Sequence, residues 1–253
     1  LEPTNELIIF IHIAKTGGTT LRGILEKQYN SNLLNMYADV NTGTLDSKVK
    51  IVNVLRNHID SAKCISGHFS FGIKYYELGI DKPLLPLIKT ARPIIYISML
   101  RKPVDQIFSL FLHYKRNHWL QPEITFEDFI KNKLYILNYQ TLCLSGTLTP
   151  NVNIAKQNII QHFALVGITD MYNESIFLLK QRFHWKDFNY HKLNKSLNSD
   201  VKKNIPQKLI DLINHDNELD LKLYTFTKEL LKIKIDLLDS SQKEILRSFS
   251  PFL

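Results

Sequence analysis

One junction constrains this chain more than any other feature: IIFIHIAKTGGTTLRGILEKQY, residues 8–29. Ile8, Ile9, Phe10 and Ile11 form the apolar, β-branched run of a buried strand, placed at 7–13. Leu21, Ile24 and Leu25 then share one face of a helix, placed at 19–29. The polar loop between them lies where a strand ends and a helix begins. The first turn of a helix carries unpaired N–H groups and the positive end of the dipole, which together favour an anion. Gly17 and Gly18 allow close backbone approach, Lys15 adds a full positive charge, and Thr16, Thr19 and Thr20 offer hydroxyl donors. A plain strand-to-helix turn capped by Thr19 accounts for one threonine and leaves the other polar residues without a purpose.

The pattern excludes two common phosphate loops. Walker A places its Lys after the last Gly with a hydroxyl residue beside it, whereas Lys15 precedes Gly17 and Gly18. The G-x-G-x-x-G spacing of dinucleotide sites is missing as well.

Beyond this junction, "AKCIS" reads as a short strand ending at Gly67, and "RPIIYISML" and "FALVGI" read as two more. Pro103 opens a helix at the position where its missing N–H costs nothing, and Val104, Ile107, Phe108 and Phe111 give that helix its apolar face. Further helices are expected at 125–133, 151–163, 173–184 and 205–234, and the polar stretch up to about residue 50 has no assignment. Strands alternating with helices imply a parallel sheet. With 253 residues, 44% of them hydrophobic, the chain has enough apolar material for one large domain spanning 1–253, its C-terminal part helical.

Ligands of such sheets collect at the carboxyl ends of the strands. Three strand ends carry polar residues there: the Lys15 loop; "SGHFSFG" with Ser66, Gly67 and His68; and "SMLRKPVDQIFSLF", with Arg101 at the strand end and Ser109 in the following helix. Together they offer places for two phosphates and a base.

On these residues the chain resembles a known family. "FIHIAKTGGTTL" is similar to the 5′-phosphosulfate loop of sulfotransferases that use 3′-phosphoadenosine 5′-phosphosulfate (PAPS), and "ISMLRKPVDQIFSLFLHY" to their 3′-phosphate strand and helix. The likeness is to the carbohydrate branch that includes the uronyl and heparan sulfate 2-O-sulfotransferases and bacterial relatives. "ISGHFSFG", "NYQTLCLSG", "HFALVGITDMYNES" and "LDLKLYTF" resemble later family segments in the same order, over roughly residues 7–230. The resemblance implies a P-loop-like, three-layer α/β fold with a central, mostly parallel sheet flanked by helices. It implies that Lys15, Thr16, Gly17, Gly18, Thr19 and Thr20 hold the 5′-phosphosulfate, that Arg101 and Ser109 hold the 3′-phosphate, and that His68 is the base acting on the acceptor hydroxyl. PAPS would be the co-substrate, without a metal. The chain departs from the family pattern at Ala14, where Pro is usual, at Lys102, where Asp is common, and at Gln106 and Leu142, where Arg is frequent.

The chemistry agrees with that role. Sulfuryl transfer needs an in-line nucleophile, stabilised equatorial oxygens and a leaving group relieved of negative charge, and Lys15 with the helix start supplies the latter two. A hydroxyl needs a base titrating near neutrality, and an unperturbed His titrates near 6.5. His12, alternating within the first strand, is expected to be a satisfied core residue, while His113 and His118 flank a helix end and are expected to serve its dipole. Leu219, Leu223, Phe226 and Leu230 are expected in the core or at an oligomer surface, and Trp119, Tyr75, Tyr76 and Trp185 are candidates to stack on a sugar.

A formal net charge of +8 suits anionic ligands. Cys64 and Cys143 are expected as buried free thiols. We expect a hydroxyl-bearing acceptor, carbohydrate first, with no nucleic-acid partner and no stable membrane insertion of this segment. A bacterial cytoplasm is the expected compartment, or a Golgi lumen if an N-terminal anchor was trimmed. Two other readings stay open: a nucleotide-dependent kinase, and a polyanion-binding module without turnover.

Overall fold

Every residue of the strand Leu7–Ile11 (β1) is at most 4% exposed in the computed structural model, which describes residues 5–37, 45–75, 78–84, 86, 90–186 and 205–249. Such a strand must be covered on both faces, as in a parallel sheet with helices on each side. β1 is the middle strand of a five-stranded sheet ordered β2-β3-β1-β4-β5, where β2 is Leu33–Asn35, β3 Cys64–Gly67, β4 Ile94–Leu100 and β5 Phe163–Ile168. All four pairings are parallel. Ile11 lies opposite both Gly67 and Ser98, so β3, β1 and β4 deliver their next residues to one edge. His68, His12 and Arg101 come from those strand ends.

The helices follow in chain order: α1 Gly18–Tyr29, α2 Lys48–His58, α3 Pro103–Arg116, α4 Phe126–Lys131, α5 Tyr139–Ser145, α6 Val152–His162, α7 Tyr172–Phe183, α8 Gln207–Asp216, α9 Glu218–Asp236 and α10 Ser240–Ser248. One apolar core surrounds the sheet, and Leu223 of α9 is completely buried in it, with Phe226 and Leu230 packed alongside. A smaller cluster of Ile107, Phe111, Phe129, Ile130, Tyr135 and Ile213 locks α3 to α4 and α8. That second cluster fixes the direction in which α3 leaves β4. Cys64 and Cys143 are buried free thiols, as the sequence implies. Among the described residues no helix is long and apolar enough to cross a membrane.

The expected α/β architecture is present, with added helices at Tyr139–Ser145 and Ser240–Ser248 and with other departures in its elements. β1 stops at Ile11 rather than at 13: His12 N–H makes the last bond to β3, at Gly67 O (3.0 Å), and Ile13 N–H turns back onto Ile11 O (3.2 Å). The single helix expected over 205–234 is two, broken at Asn217. Asn217 Nδ2 donates to Ile213 O at the end of α8, and Asn138 Oδ1 accepts the N–H groups of Leu219 and Asp220 at the start of α9. Hydrophobic periodicity runs through such a break because a cap changes no apolar position. The unassigned stretch before about residue 50 holds β2 and leads to α2, which Ser47 caps by accepting from Lys50 N–H.

Candidate functional site

The loop after β1 is held from outside by its carbonyl oxygens. Thr16 Oγ1 donates to Ile13 O (2.9 Å), Gln106 Nε2 of α3 to Ala14 O (3.0 Å), and the Arg101 guanidinium to Lys15 O (3.2 Å). Thr169 Oγ1 lies 2.9 Å from both Thr16 O and Leu100 O, and Tyr172 OH donates to Gly17 O (3.2 Å). Thus five consecutive carbonyls have side-chain partners. In a planar trans peptide the N–H points opposite to the C=O, so each N–H that follows turns away from the donor on its carbonyl. Lys15 (φ 64°) and Gly17 (φ 85°) both adopt left-handed backbone, a conformation that recurs in the nests of main-chain N–H groups that bind anions. A non-glycine residue held there costs about 1–3 kcal/mol, and the carbonyl contacts offset that strain.

The two glycines answer different demands. Gly17 is the N-cap of α1 and needs its positive φ, whereas a Cβ on Gly18 would fall 2.1 Å from Cδ2 of His12. The capping role considered for Thr19 is not found: Thr19 lies inside the first turn of α1, and no side chain caps that helix. Thr16 is fully buried with its hydroxyl proton engaged on Ile13 O, so it holds the turn, while Thr20 is buried and Thr19 half-buried.

Positive charge converges on this loop. Burial, followed by the charges of Arg116 and Arg101, pulls the Lys15 ammonium below its ordinary value. Arg101 is itself depressed by burial, with Asp105 and Asp170 opposing. Cations crowded in this way gain from a bound anion. Arg101 has a firm base, since its N–H donates to Gln140 Oε1 (2.9 Å) and its carbonyl accepts from Gln140 Nε2 (2.8 Å). The buried Asp220 carboxylate accepts the N–H groups of Gln140 (3.1 Å) and Thr141 (2.7 Å), capping the helix that carries Gln140. Burial pushes Asp220 up to about 6 against those hydrogen bonds. Ser109 is half-buried in the second turn of α3, the helix that begins two residues after Arg101.

His68 stands at the end of β3, exposed, with Nδ1 2.6 Å from His12 O. A carbonyl can only accept, so Nδ1 carries the proton and the neutral ring keeps its lone pair on Nε2. His12 is buried as expected of a core residue, with Nδ1 2.8 Å from Tyr37 OH, which in turn lies 2.8 Å from Ser66 Oγ. It also packs 4.5 Å, ring to ring, from His68, a proximity that strand alternation gave no means of seeing. Burial, then the charges of Lys15, Arg116 and His68, lower the His113 pKa, which weakens the cation expected at the end of α3. His113 O accepts both the N–H (3.1 Å) and the Nδ2 (2.7 Å) of Asn117, the residue after α3.

Of the singled-out aromatics among the described residues, only Trp119 is open, at 65% exposure, with its ring propped by His113 and Tyr114 at 5.3 and 5.4 Å. Tyr75 is buried with its OH on Met36 O, and Trp185 is buried with its indole N–H on Tyr29 OH. Tyr76 lies outside the described residues. Among the described residues no three or more His, Cys, Asp or Glu side chains gather as metal ligands would.

Known proteins share both the sequence pattern and the fold. The chain is 23% identical over 222 residues to a heparin sulfate O-sulfotransferase of Drosophila melanogaster, a match covering 75% of this chain and 60% of that protein. It is 22% identical over 302 aligned positions to heparan-sulfate 6-O-sulfotransferase 1-B of Danio rerio, covering 98% of this chain and 72% of the relative. The chain is a distant homologue of the sulfotransferases. Among solved structures, a sulfotransferase from Alicyclobacillus acidocaldarius has the same fold, with a TM-score of 0.52 at 12% identity over 96% of this chain and 100% of that one. No protein-family model matches the chain. Within this sulfotransferase homologue, the residues with clear signals in the sequence were Lys15, the two glycines, His68 and Arg101. Gln106, Gln140, Thr169, Tyr172 and Tyr37 went unassigned, because each acts on a main-chain atom or a buried ring far away in sequence.

Proposed function

We propose that this chain transfers a sulfuryl group from PAPS to a hydroxyl of a carbohydrate acceptor. The supporting observation is the juxtaposition of an anion nest, with its carbonyls fixed from outside, and a histidine whose Nε2 keeps the lone pair. In this reading the loop N–H groups, Lys15, Thr19 and Thr20 surround the 5′-phosphosulfate. Thr16, Gly17 and Gly18 shape the nest, and Arg101 and Ser109 take the 3′-phosphate. The acceptor oxygen attacks sulfur in line, the O–S bond forms, and the bond from sulfur to the 5′-phosphate oxygen breaks. His68 Nε2 takes the hydroxyl proton, and its Nδ1–H stays on His12 O while the imidazolium exists. Lys15 and the α1 N-terminus stabilise the charge left on the departing phosphate. The carbohydrate acceptor follows from the heparan- and heparin-type relatives and from the resemblance to the 2-O branch. Which hydroxyl is modified is set by acceptor placement rather than by the donor loop.

The test is transfer of a radiolabelled sulfuryl group from PAPS to a panel of glycans, phenols and alcohols, with and without chelator. We expect label on a glycan hydroxyl, activity that survives chelator, and a loss of about 10²-fold or more in His68→Ala. Magnesium-dependent phosphate transfer from ATP with no sulfuryl transfer would establish the kinase reading instead.

A further inference from the structure

We propose that His12 is a positioning residue for His68: its ring, tied through Tyr37 to Ser66, holds the base at a fixed distance from the first turn of α1. The inference rests on the assignment of His68 as base. Three contacts converge on this one residue. Its carbonyl oxygen accepts from His68 Nδ1, and its ring lies 4.5 Å from the His68 ring at a 39° tilt. Its Cδ2 edge fills the space that a Cβ on Gly18 would need. His12 therefore touches both the base and the start of the helix that would hold the transferring group.

The ring has little freedom to drift. Phe10 stacks on it at 5.3 Å and 13°, and Tyr37 meets the rings of His12 and His68 edge-on at 5.7 and 4.9 Å. The polar chain His12–Tyr37–Ser66 joins the ends of β1 and β3 to the segment after β2, across three adjacent strands. A phenyl ring at position 12 would pack similarly and would lack the anchor at Nδ1. An ammonium or guanidinium there would put a positive charge beside a base that must itself become positive. His12 avoids both problems. Burial, then the charges of His68, Arg22 and Lys15, holds its pKa down at about 3, so the ring is neutral near neutral pH. The other titratable groups facing the pair are Tyr37, with Arg22 over its ring, and His113, which senses His68 from α3.

Two variants test the proposal, His12→Phe and Tyr37→Phe, each read in three ways. The kcat–pH profile should move and kcat should fall about tenfold, as expected when one buried hydrogen bond is lost. Affinity for 3′-phosphoadenosine 5′-phosphate (PAP) should stay within about twofold, because the nest carbonyls are untouched. Carbon and nitrogen NMR of the His68 imidazole should show an altered titration and broadened ring resonances, while the Nδ1–H tautomer set by the main-chain oxygen of residue 12 is kept. The NMR arm needs no turnover. If His68→Ala remains active the base assignment fails on its own, while the His68 spectra of the two variants still decide whether His12 positions that ring. Should His12→Phe fail to fold, Tyr37→Phe carries the test, since it removes only a hydroxyl. Wild-type kcat–pH profiles together with unchanged His68 spectra would overturn the proposal.

Discussion

The loop at residues 13–20 and the far end of α3 both carry positive charge toward the same space, and they are built in opposite ways. In the loop, four successive carbonyls are held by side chains from α3, the end of β4 and the segment after β5, a fifth is held by the loop's own Thr16, and Thr16 and Gly18 are buried. At the end of α3, Arg116 is exposed, Trp119 is 65% exposed, and the supports are ring contacts with His113 and Tyr114. A rigid nest fits a ligand portion that is always the same, such as a nucleotide phosphosulfate. An open aromatic and basic edge fits a portion that varies. On the proposed reading, donor recognition is prepaid in the fold and acceptor recognition is left to accessible side chains.

The largest effect should come from breaking the nest at its charge. Lys15→Ala is expected to lower kcat by about 10³-fold, and Lys15→Arg by clearly less, since Arg keeps charge but changes geometry. Equal losses in steady-state turnover would show that geometry rather than charge matters at that position. A middle-sized effect tests the outside supports. Gln106→Leu and Tyr172→Phe each remove one donor to a loop carbonyl, and each should weaken PAP binding by roughly five- to tenfold in calorimetry. If both bind normally, the loop holds its shape without them and the contrast with α3 loses its basis.

Acid stability sharpens the same contrast at His12. Its native pKa near 3 lies below the unfolded value of 6.5, so the unfolded chain binds more protons in that window. The associated stability is fully present above pH 6.5 and is lost as pH falls toward 3, at up to about 1.4 kcal/mol per unit. Asp220, raised from 3.8 to about 6, works in the opposite sense between those values. The His12 contribution is therefore read as the difference between wild type and His12→Phe in denaturant midpoints across pH 3–7. Parallel pH curves for the two proteins would contradict it. The smallest effect belongs to the open edge: Trp119→Ala should raise the acceptor KM several-fold while PAP affinity and thermal stability stay put. A change in PAP affinity would mean that the two regions are one.

The difference in build also decided what could be read from sequence. Ile8–Ile11, the Gly pair and Lys15 form a local signal whose physics is complete within about a dozen residues, so β1, the loop and the start of α1 were legible. Gln106 registered only as a departure from the family pattern, yet it is 4% exposed and bonds a carbonyl 92 residues away. Thr169 and Tyr172 reach carbonyls 153 and 155 residues away, contacts that leave no periodicity or spacing in the chain. His12 reads as a core residue by strand alternation and is one. Its bond to the base depends on β1 and β3 ending level, which is a property of the sheet's register. Asn138 was missed for a related reason: it caps the end of α8 and the start of α9 from 78 to 82 residues away.

Calorimetric and thermal-shift titration of the wild type and Arg101→Ala with PAP and with adenosine 5′-phosphate tests the central claim most directly. The fold is read as building a donor site for a nucleotide with two separated phosphates, one on the nest and one at Arg101 and Ser109. At a hundredfold excess over its dissociation constant, PAP should stabilise the wild type by about 2.7 kcal/mol, and adenosine 5′-phosphate at the same concentration by much less. Arg101→Ala should remove most of that difference, and the preference should persist at high salt, where surface attraction is screened. Equal stabilisation by both nucleotides, or binding by neither alongside salt-sensitive binding of long polyanions, would contradict the account.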